Sequence, residues 1–529
     1  MKITKVTITP VAFADPPLLN AVGVHEPFAL RAIVEVATDA GLTGLGETYA
    51  DEHHLAALTA VARAIEGVDV YGTGEIYRRV QAVTAPTAAT PPGMPRAPGD
   101  PILPGDVLAY GQAAAAGGTV VPSGSPIPGE PSVPGGALFP GAVPVPGESA
   151  VPGGQIAPDG PIASGLIGQS AVTDRVFSPF EVACLDIQGQ AAGRPVCDLL
   201  GGAVRSEVPF SAYLFYKWAA HPGGPGRPVA ARDPWGPALD PESIVAQAMT
   251  MVSKYGFTAI KLKGGVFPPE QEIEAIRALR DAFPRHPLRL DPNAAWTPWT
   301  ALRVARELDG MLEYLEDPTP GIDGMAEVAQ AAPMPLATNM CVVAFDHLPP
   351  AIRKHAVQVI LSDHHYWGGL RKSMVLAGIC ETFGIGLSMH SNSHLGISLA
   401  AMVHLAAVTP NLTYACDTHW PWKTEDVIEG EPLTFSNGAV RVPSAPGLGV
   451  SLDRDALARL HEQYLTCGIR NRDDTGYMRR IDPSYVREEP RWLTRGHGSR
   501  VRNRVLAAPR EVDPEVGAAP HVVAFDKRL

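Results

Sequence analysis

Six polar residues recur along the second half of the chain at a near-constant step. They are Lys263, Asp291, Glu316, Asn339, Asp363 and His390, separated by 28, 25, 23, 24 and 27 residues. Their types define a chemistry. Asp291, Glu316 and Asn339 offer hard oxygen donors, which suit Mg²⁺ with water or substrate oxygens in its remaining positions. Lys261 and Lys263 alternate in a strand-like run and so share a face. Each then disfavours the other's charge, and a lysine pushed toward neutrality can act as a base. The plainer reading of that pair is two cations clamping a phosphate or carboxylate. Asp363 stands one step before His390, so a carboxylate can be set against the imidazole, orienting it and raising its basicity. His390 and His394 are four apart but lack the Glu of a zinc-protease helix. The earlier positions hold lysines and carboxylates rather than histidines, so a zinc hydrolase is not expected.

The elements that must carry these residues follow from the same spacing. Each residue closes an apolar, strand-like run, and a helical pattern follows it. The step is the length of a strand, a loop, a helix and a return. Six such units in series predict a parallel sheet wrapped as a (β/α) barrel. The C-terminal strand ends of a barrel converge on one mouth, so the spacing gathers the six residues there. Any single polar strand end is more simply a residue reaching solvent; the set is not.

The rest of the chain divides by texture. Residues 3–13 and 29–38 read as strands, 41–47 turns into a third, and 53–66 reads as a helix, an α+β region. Gly and Pro number 53 each in 529 residues, about 20% where roughly 12% is usual. The excess is local: residues 81–170 hold 18 Pro and 17 Gly, and residues 91–170 hold six charged residues. Pro at that density removes backbone donors and bars helix, and no strict collagen period is present. The expected division is an α+β capping domain over 1–83 and 167–240, a Pro/Gly-rich disordered insert over 84–166, a (β/α) barrel over 241–450, and a 451–529 segment that returns to the cap and ends in a polar tail. The net charge of −12 disfavours a nucleic-acid partner, while a local basic pocket can still take a small anion. The six scattered cysteines predict reduced thiols in a cytoplasmic protein. No signal-peptide core or apolar run of membrane length is visible.

Several stretches carry a family resemblance: LLNAVGVHEPF (18–28), GLTGLGE (41–47), Lys261-Leu262-Lys263 with its Gly-Gly-Val, LDPNAAW (290–296), and Glu316-Asp317-Pro318. Others are ATNM (337–340), DHHYW (363–367), HSNSH (390–394), DTHW (417–420), PGLGV (446–450) and Arg472-Asp473-Asp474. Over residues 1–80 and 173–480 the chain resembles the enolase superfamily, and within it the glucarate dehydratases. The Lys-x-Lys pair with Asp and Glu marks the superfamily; the Asn at the third ligand position, the HSN turn and the DTHW stretch are specific to the dehydratases. The resemblance implies Lys263 as the catalytic base, Lys261 as its neighbour and His390 with Asp363 as a dyad. It implies Asp291 and Asn339 as Mg²⁺ ligands with Glu316, and His25, Asn20, Tyr213, Asn293, Asn392, His419 and Arg472 as substrate contacts. The loop after Glu316 is shorter than the family pattern, so Asp323 is a second candidate ligand. The expected reaction is dehydration of D-glucarate to 5-keto-4-deoxyglucarate by a homo-oligomer. Alternatives are dehydration or epimerisation of another aldarate, or an inactive sugar-acid-binding or scaffold protein.

Overall fold

A computed structural model describes residues 1–85, 169–222 and 235–485. The alternating N-terminal run forms β1 (Ile3–Ala14), and a two-residue ribbon follows as β2 (Leu19–Asn20) and β3 (Gly23–Val24). Strands β4 (Phe28–Thr38) and β5 (Thr43–Tyr49) complete an antiparallel sheet in the order β1-β4-β5. Helices α1 (Glu52–Ile65) and α3 (Gln169–Ala192) pack on it, and α2 (Thr73–Thr84) packs on those two helices. The glycines of GLTGLGE have a steric cause. A Cβ on Gly44 would strike the carbonyl of Ala183, and one on Gly46 the carbonyl of Pro179. The α3 backbone thus lies directly on β5, a closeness that only glycine permits. Sequence reading did not anticipate α2. The expected insert, residues 84–166, lies outside the described residues from 86 onward.

After α4 (Val196–Leu199) and β6 (Glu207–Pro209), seven parallel strands run in sequence order around one sheet. They are β7 (Ser211–Phe215), β8 (Ala259–Lys263), β9 (Leu288–Asp291), β10 (Tyr314–Glu316), β11 (Leu336–Thr338), β12 (Val359–Ser362) and β13 (Gly386–Met389). The intervening helices are α5 (Pro241–Tyr255), α6 (Pro269–Ala282), α7 (Pro298–Glu307), α8 (Gly321–Ala329), α9 (Leu348–Lys354), α10 (Gly369–Thr382) and α11 (Gly396–Val408). Residues 412–416 take the eighth position without regular strand form. Leu412 bridges Leu387 on β13, and Cys416 bridges Phe210 beside β7, both in parallel. A short ribbon of β14 (Phe435–Ser436) and β15 (Ala439–Arg441) pairs with β6, and α12 (Arg454–Thr466) returns to pack on β1. Helix α13 (Asp474–Ile481) packs against β3.

Local sequence explains the joints. Asp240 and Ser243 form a reciprocal capping box on α5, which satisfies two orphan donors of the first turn. The loop after β8 turns through Gly265 at φ +73°, where a Cβ would strike the Pro292 carbonyl. The buried Glu272 carboxylate on α6 accepts from the backbone N–H groups of Gly265, Val266 and Phe267 at 2.9–3.0 Å. This loop directly follows Lys263, so its fixing limits the movement of that lysine. Three apolar clusters result: a large one between the barrel strands and their helices, one beneath the cap sheet, and a small one of Tyr314, Ala337, Val359 and Leu361 on β10 to β12. Among the described residues, no helix is long and apolar enough to cross a membrane.

Candidate active site

The six stepped residues stand at the C-terminal ends of β8 to β13, and all six are buried. Lys261 is the ion-paired lysine. Its Nζ lies 2.7 Å from Glu316 Oε1, 2.7 Å from Asp417 Oδ2 and 3.4 Å from Asp291 Oδ2. It also sits 4.5 Å from the centroid of the Tyr213 ring. Burial works against its charge, but Asp417 and Glu316 outweigh that and hold its pKa well above the ordinary lysine value. The expectation that the two lysines push each other toward neutrality therefore fails for Lys261, because carboxylates surround it. Lys263 is the more open of the two, its side chain 10% exposed against 0% for Lys261. Its Nζ donates to Asp291 Oδ2 at 2.7 Å and to Asn293 Oδ1 at 2.6 Å.

Three oxygen-bearing side chains stand on neighbouring strand ends. Asp291 accepts from the Tyr213 hydroxyl at 3.2 Å. Burial opposes its charge, yet Lys263 and Lys261 hold its carboxyl well below the usual range. Burial, with Asp291 and Asp417 adding to it, pushes the Glu316 carboxyl well above its ordinary value despite Lys261. The Asn339 side-chain oxygen is buried with no hydrogen-bond partner, a cost of about 1–3 kcal/mol unless something binds it. The loop that carries it is pinned from below: Asp317 accepts from the Thr338 hydroxyl and from the backbone N–H of Asn339 and Met340 at 2.6–3.1 Å. An orphaned oxygen beside two buried carboxylates is a donor set that fits a hard cation. Asp323 lies elsewhere, on α8, 83% exposed and paired with Lys354.

At the ends of the adjacent strands β12 and β13, His390 Nδ1 lies 3.1 Å from Asp363 Oδ2. Burial opposes the Asp363 charge, but His365 and His390 hold its carboxyl well below the usual range. Asn392 donates to the Tyr49 hydroxyl at 2.7 Å and the Tyr366 hydroxyl at 3.3 Å. His419 packs edge-on against Tyr213, ring centroids 5.0 Å apart. Burial, with His25 and two further histidines nearby, drives its pKa well below the ordinary value. From the cap, His25 Nδ1 lies 3.1 Å from Asp15 Oδ2, its ring against Phe215. Asn20 donates to Asp474 Oδ2 at 2.9 Å, and Arg472 forks onto the same Asp474 at 3.0 and 3.1 Å. Arg472 is thus held by an intramolecular carboxylate.

Sequence reading missed two buried groups here. Asp417 stands just after the irregular eighth position, where no strand pattern announced it, although the DTHW stretch contains it. His365 contacts the second oxygen of Asp363 at 2.7 Å; in the run Asp363-His364-His365 nothing in the sequence distinguishes the two histidines.

Comparisons with known proteins identify the family. A family model described as "Enolase C-terminal domain-like" matches residues 243–456. A "Probable glucarate dehydratase" of Streptomyces coelicolor is 46% identical over 498 residues, covering 93% of this chain and 99% of its own. A crystal structure of an enolase from Thermobispora bispora complexed with magnesium and formate is 55% identical, with a TM-score of 0.76 over 93% of this chain and 100% of that one. Another, from Pseudomonas fluorescens with bound magnesium, potassium and tartrate, is 45% identical, with a TM-score of 0.76 over 93% of this chain and 99% of that one. The fold and the relatives define a capped-barrel carbon–oxygen lyase of the hydro-lyase type. The chain belongs to the glucarate dehydratase family of the enolase superfamily.

Proposed function

We propose that this enzyme is a Mg²⁺-dependent dehydratase of acid sugars that converts D-glucarate to 5-keto-4-deoxyglucarate. One observation carries the reading: the more open lysine and a carboxylate-backed imidazole stand on β8 and β13, which are not neighbours in the barrel. Lys263 removes the proton from the carbon next to the substrate carboxylate. His390 delivers a proton to the departing β-hydroxyl, water leaves, and the resulting enol becomes the ketone. Lys261, fixed and charged, sets the field beside Lys263. Asp363 orients His390.

Asp291, Glu316 and Asn339 would hold the metal, with Glu316 preferred over the exposed Asp323. Bound there, Mg²⁺ supplies positive charge against the substrate carboxylate, which makes the adjacent C–H more acidic. Magnesium in the Thermobispora and Pseudomonas relatives supports this choice. Tartrate in the latter is itself a hydroxylated diacid. His25, Asn20, Tyr213, Asn293 and Asn392 position the polyol. His419 and Arg472 face the distal carboxylate, where a guanidinium can bind both oxygens.

A panel of aldarates assayed with Mg²⁺ for 2-keto acid formation tests the proposal. D-glucarate, together with its C5 epimer, is expected to be the best substrate. Preference for another aldarate would replace the substrate, and epimerisation without keto acid would replace the reaction. The absence of any turnover on acid sugars would favour a binding protein.

A further inference from the structure

The dyad does not end at Asp363. Its Oδ1 accepts from the backbone N–H of His365 at 2.9 Å and lies 2.7 Å from His365 Nδ1. The other ring nitrogen, Nε2, lies 2.8 Å from Arg31 Nη2 and 2.9 Å from Ser398 Oγ. A guanidinium nitrogen only donates. Nε2 must therefore accept, so the single proton of the neutral ring sits on Nδ1 and points at Asp363. A second proton on the ring would face Arg31 directly. Arg31 comes from β4 of the cap, and its Nε donates to Glu47 Oε1 on β5 at 2.9 Å. Glu47 also accepts from the backbone N–H of Leu395 and Ser398 at 2.8 Å each, at the start of α11. Arg31, Glu47, His365 and Asp363 are all buried. The other titratable groups facing the His365 ring are His364, with centroids 4.0 Å apart, and Tyr49 at 5.6 Å, with His54 within electrostatic reach.

We propose that His365 is a positioning residue for the Asp363–His390 dyad, locked by the cap residue Arg31 into the neutral tautomer that donates from Nδ1. Asp363 is thereby oriented by one imidazole and presents its other oxygen to the second. The cap thus reaches the general acid through a continuous hydrogen-bonded line, without contacting substrate. This rests on the reading of His390 as the general acid.

Two measurements test it. The first is ¹⁵N NMR of the full chain with labelled imidazoles and Mg²⁺, with His365 assigned by its loss in a variant. His365 is expected to carry its proton on Nδ1, with Nε2 accepting. A His365 that carries its proton on Nε2 overturns the proposal. The second compares two substitutions that differ in which nitrogen they mimic. His365→Asn puts an amide nitrogen near the place of Nδ1 and keeps the donor to Asp363, whereas His365→Gln reaches the place of Nε2. The Asn variant is expected within about 10-fold of wild-type kcat. The Gln variant is expected to lose roughly 100-fold with little change in KM and a shifted acid limb of its pH profile. Equal losses in both, or a loss confined to KM, would leave His365 a packing residue only. If the wild type turns over no acid sugar, the functional reading fails, yet the NMR result still decides the tautomer.

Discussion

At the residue scale, the site divides two lysines that share one strand face into different roles. Lys261 is enclosed by Glu316, Asp417 and Asp291, whereas Lys263 touches Asp291 and Asn293 and keeps a path to the mouth. Sequence alone supplies the pair, because alternation on a strand is legible. It does not supply the asymmetry, which comes from Asp417 on a segment with no strand pattern. The same holds for the histidines: His390 was legible from its step after Asp363, while His365 became distinct only when Arg31 was folded against it from more than 300 residues away. The backbone shows where the site is under tension. Asn293 and Ala294 sit at φ 57° and 59°, a left-handed conformation that costs non-glycine residues of order 1 kcal/mol each. Asn293 thereby turns its oxygen to Lys263. The metal reading makes a separate prediction here. Asn339→Ala removes the orphaned oxygen and should weaken Mg²⁺ binding by about 10-fold or more by calorimetry; unchanged affinity would remove Asn339 from the ligand set.

At the element scale, the barrel strands were readable because each ends in a polar residue at a fixed step and a helix pattern follows. The eighth position was not, since residues 412–416 bond to both neighbours through isolated bridges rather than a regular ladder. The joint between cap and barrel also has a legible energetic signature. Glu181 on α3 accepts from the backbone N–H of Leu370, at the start of α10, at 2.9 Å. Burial pushes its carboxyl up to about 7, against about 4.3 in an unfolded chain. The folded state therefore holds a proton that the unfolded state has released between those values. Stability contributed by that proton is full below about pH 4.3 and declines as pH rises toward 7. Glu181→Gln, which cannot ionise, should flatten the fall of Tm across about pH 5–7. A variant whose Tm falls in parallel with wild type would contradict this assignment.

At the scale of the whole molecule, the excess of Gly and Pro is mostly a property of one stretch between α2 and α3. The described structure fixes both of its anchors: the Thr84 and Thr173 hydroxyls lie 2.8 Å apart. The ends are thus joined by the cap itself, and each doubling of a loop between fixed ends costs only about 0.6 kcal/mol in closure entropy. Replacing residues 86–164 with a short Gly/Ser linker is expected to leave KM and the order of preferred aldarates unchanged; altered selectivity would show that this stretch acts as a lid on substrate choice. The cap as a whole does reach the chemistry, through Arg31 and Glu47 toward the dyad and through His25 and Asn20 toward the mouth. That coupling could not be read from composition or period, because it joins residues from opposite ends of the chain.

The most direct measurement compares the initial rate of 2-keto acid formation from D-glucarate by wild type and Lys263→Ala, each with Mg²⁺ and with metal binding checked. Turnover by the wild type and a loss of at least about 10²–10⁴-fold in the variant, at unchanged Mg²⁺ affinity, is the expected result. Turnover by Lys263→Ala close to the wild-type rate would contradict the assignment of Lys263 as the base.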